Sequence, residues 1–586
     1  MTAAVANPRP VLVLDADQVS ALAVVRSLGR AGIPVRVASA GPLPLAAASR
    51  HALQCLHYPD PLTDEAGFVA WLRQRQLAQP LELTFPITER TVVPLMRQRA
   101  TLDDLRLAIA PTDALEQVLD KSRTLALAQR LGIAIPHSLH ISTAADLAAL
   151  DAAGRAWHYP VVVKPGRSVG QDNQRRVQLS VEYAHDRRGL QQLVAQQLRY
   201  GEVILQEYFP GDGVGVELIA DHGRVRHAFQ HRRLHEVPLT GGGSSLRCSE
   251  TVVPALLQAA EQLVRALGWH GVAMVEFKYQ SATGQFRLME INGRFWGSLP
   301  LAVAAGADFP VMLYELMTTG NVTERASARP GVVCRQLARD IDWLEHVLRR
   351  AAPPGLVRFP SASQVLRDWA LVFSPRHHFD VQSWRDPWPG LVDLGRILRH
   401  QGRRIQLVVA QKLRLRRELR AARTAGRRAL ADARAAGNRQ VLFLCYGNIN
   451  RSALAQAYAQ GRQTPGLRFA SAGFHAPAGR PADPVMVEVA AQAGVNLAQW
   501  QSHTLDAGLL QAADLILAME LAHLDRLLQA YPQARGKAFL LGAATARDGG
   551  QAEIADPYGH PRGVYQRVCQ QVTTAVDAWL TPTPRH

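Results

Sequence analysis

The sequence predicts a multidomain chain combining α/β and α+β units, and three observations carry that prediction. A length of 586 residues exceeds what one hydrophobic core organises, so three or four folded units are expected. A strand–loop–helix rhythm runs to about residue 135 and returns after about residue 438, the pattern of parallel sheets covered by helices. Between these, β-rich runs alternate with helices, as in an α+β fold.

Taken in order, "RPVLVLDADQVSALAVVRSLGRAGIPVRVAS" reads strand, loop, helix, strand. It contains no G-x-G-x-x-G, so a dinucleotide site is not indicated there. "LELTFPITERTVVPLM" and "LRLAIAPTDALEQVLDKSRTLALAQRLGIAIP" repeat the rhythm. The stretch from "YPVVVKPGRS" to "FRLMEINGRFWGS" is the β-rich middle, and a less regular stretch with "SWRDPWPG" follows it. The expected divisions are 1–110, 111–325, 326–437 and 438–586.

Hydrophobic residues at 47% and charged residues at 20% are globular proportions and exclude a disordered chain. Neither a signal peptide nor a membrane span is expected. The cysteines Cys55, Cys248, Cys334, Cys445 and Cys569 form no metal-ligand spacing and no disulfide framework, which suits a reducing cytoplasm. The net charge of +17 raises nucleic acid as a partner. Much of the excess gathers between Arg403 and Arg439, where Arg and Lys face only Glu418 and Asp432. That Ala/Arg/Leu-rich stretch is expected to be a solvated helical linker. No aromatic interleaving accompanies it, so no nucleic acid is expected; contact with an anionic membrane surface is the sharper alternative.

The first chemistry lies in the middle. Lys164 ends a β-branched strand and enters a Gly/Ser loop, and Lys121 sits in "LDKSRT". Loop amides can wrap phosphates while lysine supplies a point charge. Glu290 and Asn292 stand two apart on a strand and share a face. With Glu276 from "VAMVEFK" they make a set of oxygen ligands suited to Mg2+, and Arg294 continues that face toward phosphate. The run "HRRLHEVPLTGGGSS" reads either as a surface loop or as a lid, with Arg232 or Arg233 facing a substrate carboxylate.

These motifs, with "LQEYFPG", resemble those of ATP-grasp carboxylate–amine ligases over about residues 10–325. The resemblance implies a pre-ATP-grasp α/β domain over 1–110 and an ATP-grasp domain over 111–325. It implies that Lys121 and Lys164 hold the nucleotide phosphates and that Gln206, Glu207, Tyr208 and Phe209 form the adenine-side hinge. Glu276, Glu290 and Asn292 would bind magnesium, with manganese as the alternative ion, and Asp212 would reach the ribose. The implied reaction activates a small-molecule carboxylate as an acyl phosphate, which an amine then attacks.

In "VLFLCYGNINRSALAQAYAQ" a strand delivers Cys445 into a tight loop before a helix. Loop amides and the helix N-terminus make an anion cradle, and Arg451 adds a planar fork for two phosphoryl oxygens. The same field favours a thiolate nucleophile, and a hydroxyl at Ser452 can bond that sulfur. The stretch resembles the signature of low-molecular-weight protein tyrosine phosphatases. The likeness continues through "FASAGFHAPAGRPADP", "SHTL", "AADLILAME" and "EIADPYGHP".

The resemblance implies a Rossmann-like domain with a parallel sheet over 438–586 that needs no cofactor, and Asp556 as general acid. The loop and pocket residues it implies are Tyr446, Gly447, Asn448, Ile449, Asn450 and Tyr558. Ser471 would brace the loop and His503 would buttress Asn448. Many relatives carry a second loop cysteine where this chain has Asn450, so protection of Cys445 within the loop is not expected. The expected protein partner carries phosphotyrosine, with a bacterial tyrosine kinase of exopolysaccharide assembly as the family's analogy. Alternatives are an arsenate reductase-like domain, for which only Cys569 could resolve a disulfide, or a membrane- or polymer-associated regulator with degenerate sites.

Overall fold

The computed structural model describes residues 9–152, 157–166, 169–172, 175–179, 181–351, 356–475, 478–546 and 552–581. The chain forms two compact units, Met1–Leu398 and Arg399–His586.

The first unit opens with a parallel sheet in the order Ala52–His57, Val35–Ser39, Val11–Val13, Thr84–Phe85. Alternation along its buried central strand splits the side chains between two cores. Leu12 and Leu14 join one with Trp269 and Val216, while Val11 and Val13 join the other with Trp296 and Phe309. The expected 1–110 domain therefore shares its cores with the seven-stranded sheet described below and the helices on it. The loop after this strand carries Asp15, which is 2% exposed at φ +51°. Its Oδ2 accepts from the Thr88 amide at 2.8 Å and the Thr91 hydroxyl at 2.6 Å, and Tyr58 donates to its Oδ1 at 3.0 Å. Asp15 thereby ties this loop to Ile87, Thr88 and Thr91 beyond the neighbouring strand.

An antiparallel sheet follows, ordered Ser138–Ile141, Val203–Glu207, Val161–Pro165, Glu182–Ala184. It packs on Arg187–Gln197 through a small core of its own. The third sheet has seven strands in the order Phe286–Asn292, Gly271–Tyr279, Asp212–Asp221, Arg224–Val237, Gly243–Glu250, Val333–Arg335, His377–Phe379. The register sets Glu276 opposite Glu290.

Two expectations change here. The "HRRLHEVPLTGGGSS" run is not a free lid: most of it lies in the antiparallel strands Arg224–Val237 and Gly243–Glu250, joined by a short turn. Nor is the stretch after 326 irregular. Val333–Arg335 and His377–Phe379 extend the seven-stranded sheet, and Leu337–Arg349 packs against it. Polar contacts hold this addition. Arg247 pairs with Asp380, both fully buried, and the His235 ring lies between Asp340 (2.8 Å) and Asp368 (3.1 Å), stacked on Trp343. Three-residue strands and buried ion pairs leave no hydropathy period to read.

In the second unit a parallel sheet runs Leu467–Gly473, Arg439–Cys445, Ala513–Ala518, Ala538–Leu540. The basic helical segment ahead of it is not simply solvated. Leu419, Ala422 and Leu430 enter the core with Phe539 and Trp579. Gly426 is needed there, because a Cβ would stand 2.8 Å from the Trp579 ring. Arg423 donates to the Ala546 carbonyl, Arg427 to Ala578 at 3.3 Å and Arg434 to Leu580. Several arginines thus bond backbone carbonyls rather than face water. Among the described residues no single helix is long and apolar enough to cross a membrane.

Two candidate active sites

The buried strand Arg439–Cys445 ends in a loop that turns at once into the helix Arg451–Gly461. Cys445 Sγ accepts from the Asn448 amide at 3.3 Å and lies 2.9 Å from Ser452 Oγ. Asn448 holds the loop in a left-handed conformation at φ +51°, which a non-glycine residue adopts only under local compensation. Its Nδ2 donates to Ser452 Oγ (2.9 Å) and Ser471 Oγ (2.8 Å). Its Oδ1 accepts from the His503 amide at 2.7 Å, and its carbonyl accepts from Trp500 Nε1 at 2.8 Å. Ser471 thus contacts the loop through its hydroxyl, which accepts from Asn448. The buttress from His503 comes from its main chain, not its ring.

Arg451 is 1% exposed. Its Nη1 donates to the Ile554 carbonyl at 2.8 Å and faces Glu520 at 3.1 Å, while its Nη2 meets Asp556 at 2.8 Å. His523 beside Glu520 is pushed down to about 4 by burial, with Arg451 adding to the effect, so it is neutral near pH 7. Glu520 therefore remains the partner of Arg451. A cavity of about 320 Å³ opens over Cys445, with Asp556 at its edge and Tyr446 and Tyr558, each about half-exposed, on its rim. Gly447, Ile449 and the buried Asn450 complete the loop lining.

Sequence reasoning missed four residues. Arg480 lines the same cavity and donates to the Gly447 carbonyl at 2.6 Å. Gly473 lets the loop pass, since a Cβ there would stand 2.6 Å from the Tyr446 carbonyl. Glu520 and Trp500 are the others. Arg480, Gly473 and Glu520 lie inside stretches singled out above, but spacing alone gave them no task. Cys569 is buried in the core, on the helix Arg562–Leu580.

The second site lies in the first unit, where two strands of the seven-stranded sheet bring Glu276, Glu290 and Asn292 together. Asn292 Nδ2 lies 3.0 Å from Glu276 Oε1 and 3.5 Å from Glu290 Oε1. Arg233 pairs with Glu276, and Lys121 Nζ stands 3.9 Å from Glu290. Arg232 turns instead to Glu250 and Asp212, so Arg233 is the arginine beside the carboxylates. Burial, with Glu290 nearby, holds the Glu276 carboxyl above its usual range despite Arg233. Two like charges and an amide around a cavity of about 190 Å³ fit a hard divalent cation, which would relieve that repulsion. Turning the Asn292 amide would present its oxygen.

Lys164 ends the strand Val161–Pro165, and burial lowers it to about 8 although Glu290 pulls the other way. Arg167 and Ser168 of its loop lie outside the described residues. Arg294 lines the same cavity and pairs with Glu89 at 3.1 Å. Of the hinge, Gln206 is buried with its amide on Ser138 (3.0 Å), and the Glu207 amide donates to the His137 carbonyl. Tyr208 lines a cavity of about 620 Å³ with Asp212, and Phe209 lies under Arg287.

Residues 440–585 match the family described as low molecular weight phosphotyrosine protein phosphatase. Residues 199–339 match one described as ATP-grasp in the biosynthetic pathway with Ter operon. The probable low molecular weight protein-tyrosine-phosphatase EpsP of Ralstonia nicotianae is 36% identical over 140 residues, 24% of this chain and 92% of that protein. Etp of Escherichia coli K12 is 34% identical over 139 residues, covering 24% of this chain and 90% of its own. Among solved structures, Vibrio vulnificus Wzb in complex with benzylphosphonate shares 35% identity over 25% of this chain and 98% of that one, at a TM-score of 0.23. An L-amino acid ligase from Bacillus licheniformis shares 18% over 53% of this chain and 75% of that one, at a TM-score of 0.41. Through residues 440–585 the chain belongs to the low-molecular-weight phosphotyrosine protein phosphatase family, joined in one polypeptide to an ATP-grasp region.

Proposed function

We propose that this bifunctional enzyme hydrolyses phosphotyrosine in a protein through a phosphocysteine and, at its other site, joins a small carboxylate to an amine with ATP and Mg2+. The observation that carries the first half is the convergence of Cys445, Arg451 and Asp556 on one cavity with a tyrosine rim. The Asn448 amide and Ser452 hydroxyl face the sulfur and stabilise negative charge on it. Cys445 Sγ attacks phosphorus and forms the S–P bond while the aryl oxygen leaves with a proton from Asp556. Asp556 then takes a proton from water, whose oxygen attacks phosphorus, and the S–P bond breaks to release inorganic phosphate. The Arg451 fork neutralises the transferring oxygens once substrate draws it from Asp556.

In the ligase half, ATP supplies the phosphoryl group and a divalent ion screens its charge. Glu276, Glu290 and Asn292 would hold that ion. Lys164 and Lys121 neutralise phosphate oxygens, and Arg233 steadies the carboxylate that becomes the acyl phosphate. The relatives' names, EpsP above all, support a role in exopolysaccharide production, and free cysteines suit the cytoplasm. Burial of Cys569 disfavours an arsenate-reducing relay, which passes a disulfide outward. Hydrolysis of a phosphotyrosine peptide without added metal, by the full chain and its Cys445→Ser variant, tests the phosphatase reading. Activity that survives in the variant would refute it.

A further inference from the structure

Within the second unit, the part of the helix Pro387–Ala421 from Ile405 to Leu413 is an unpacked surface. Its later residues Leu419 and Ala422 reach the core and Arg414 pairs with Asp525, so the helix is fixed on the unit. One turn earlier the packing stops. Ile405, Leu407, Val408, Val409 and Leu413 are between 46% and 70% exposed. Of these, Ile405, Val409 and Leu413 stand at i, i+4 and i+8 and make one face of the helix. That face continues into the exposed Arg416, Arg417 and Arg420.

From Arg399 to Arg420 eight Arg and Lys residues stand against one acid, Glu418. An apolar face run together with cations fits a surface that is oily beneath and anionic above. A second copy fits less well, because a symmetric parallel pairing along this face sets Arg416 and Arg420 against their own counterparts. Nucleic acid would use the cations but leave the three aliphatic side chains in water.

We propose that this segment lies on the surface of an anionic phospholipid bilayer, with Ile405, Val409 and Leu413 in the headgroup–acyl boundary and Arg416, Arg417 and Arg420 on lipid phosphates. Such contact would hold the phosphatase beside membrane-anchored phosphoproteins. Co-sedimentation of the full-length chain with vesicles tests it, comparing pure phosphatidylcholine with phosphatidylcholine containing phosphatidylglycerol. The expected result is binding to the anionic vesicles that weakens with salt, at least about tenfold stronger than to neutral ones. Ile405→Asp with Val409→Asp should abolish it. Arg416→Gln with Arg420→Gln should weaken it by roughly fivefold per cation removed. Unchanged aryl phosphate hydrolysis in each variant reports an intact fold. Failure of the parent to bind anionic vesicles at low salt would overturn the proposal, as would undiminished binding by the Asp variant. So would a dimer in sedimentation that the Asp substitutions dissolve while vesicles bind nothing.

Discussion

The two sites are built in opposite ways. The phosphatase cradle is one contiguous loop, Cys445 to Ser452, braced mainly by neutral hydrogen bonds in which Asn448 donates to Ser471 and accepts from Trp500 and the His503 amide. The ligase site gathers Lys121, Lys164, Glu276, Glu290 and Asn292 from separate elements, and its acids are balanced by Arg233 and Lys121. The first is pre-organised around a nucleophile. The second is a charge network that substrate and ion must re-partner. Damage to a loop bond should therefore strike both fold and rate, whereas damage to a ligase charge should strike binding and leave the fold alone.

The largest expected effect is on the nucleophile. Cys445→Ser should lower kcat toward aryl phosphates by about four orders of magnitude or more. Asp556→Ala should lower it by about two to four orders, and less for leaving groups that depart without a proton. Asn448→Ala comes next. It leaves buried partners unpaired and keeps a strained backbone, so unfolding free energy should fall by about 2–3 kcal/mol together with activity. Urea unfolding of the second unit checks this, and an unchanged midpoint would break the contrast.

Glu290→Gln should abolish metal-dependent ATP turnover with little loss of stability, because the side chain is exposed enough to keep water. Isothermal titration with Mg-ATP beside a thermal melt separates the two effects. Lys164 gives a pH signature. Its value of about 8 lies below the ordinary 10.5, so ATP affinity should fall as pH rises through about 8. The unfolded chain binds the extra proton between about 8 and 10.5, so this group makes stability rise over the same window. Lys164→Arg should flatten both trends. The smallest effect belongs to His503→Ala, about 0.5 kcal/mol or less, because the bond to Asn448 comes from the main chain.

The same contrast explains what was legible in the sequence. The cradle is written as consecutive residues, so Cys445, Asn448, Arg451 and Ser452 are visible together, and strand–loop–helix order places them. Glu290 and Asn292 are visible as a same-face pair, and the antiparallel register then adds Glu276. Other features depend on approach between distant segments and leave no local mark. Gly473 matters only because Tyr446 passes beside it, and Arg480 only because it reaches Gly447. The glycine-rich run reads as a surface loop or a lid because its glycines suggest looseness, whereas its flanks are paired strands. The basic helix looked solvated because arginines that cap carbonyls of Ala546, Ala578 and Leu580 have the same composition as arginines in water.

One polypeptide with two chemically separate catalytic centres should lose one activity at a time. A crosswise measurement on the full-length chain tests this most directly, following aryl phosphate hydrolysis and Mg-ATP binding in Cys445→Ser and in Glu290→Gln. Cys445→Ser should lose hydrolysis and bind Mg-ATP like the parent. Glu290→Gln should lose Mg-ATP binding and hydrolyse aryl phosphate at the parental rate. A single substitution that silences both activities, or a Glu290→Gln chain that binds Mg-ATP undiminished, would contradict this.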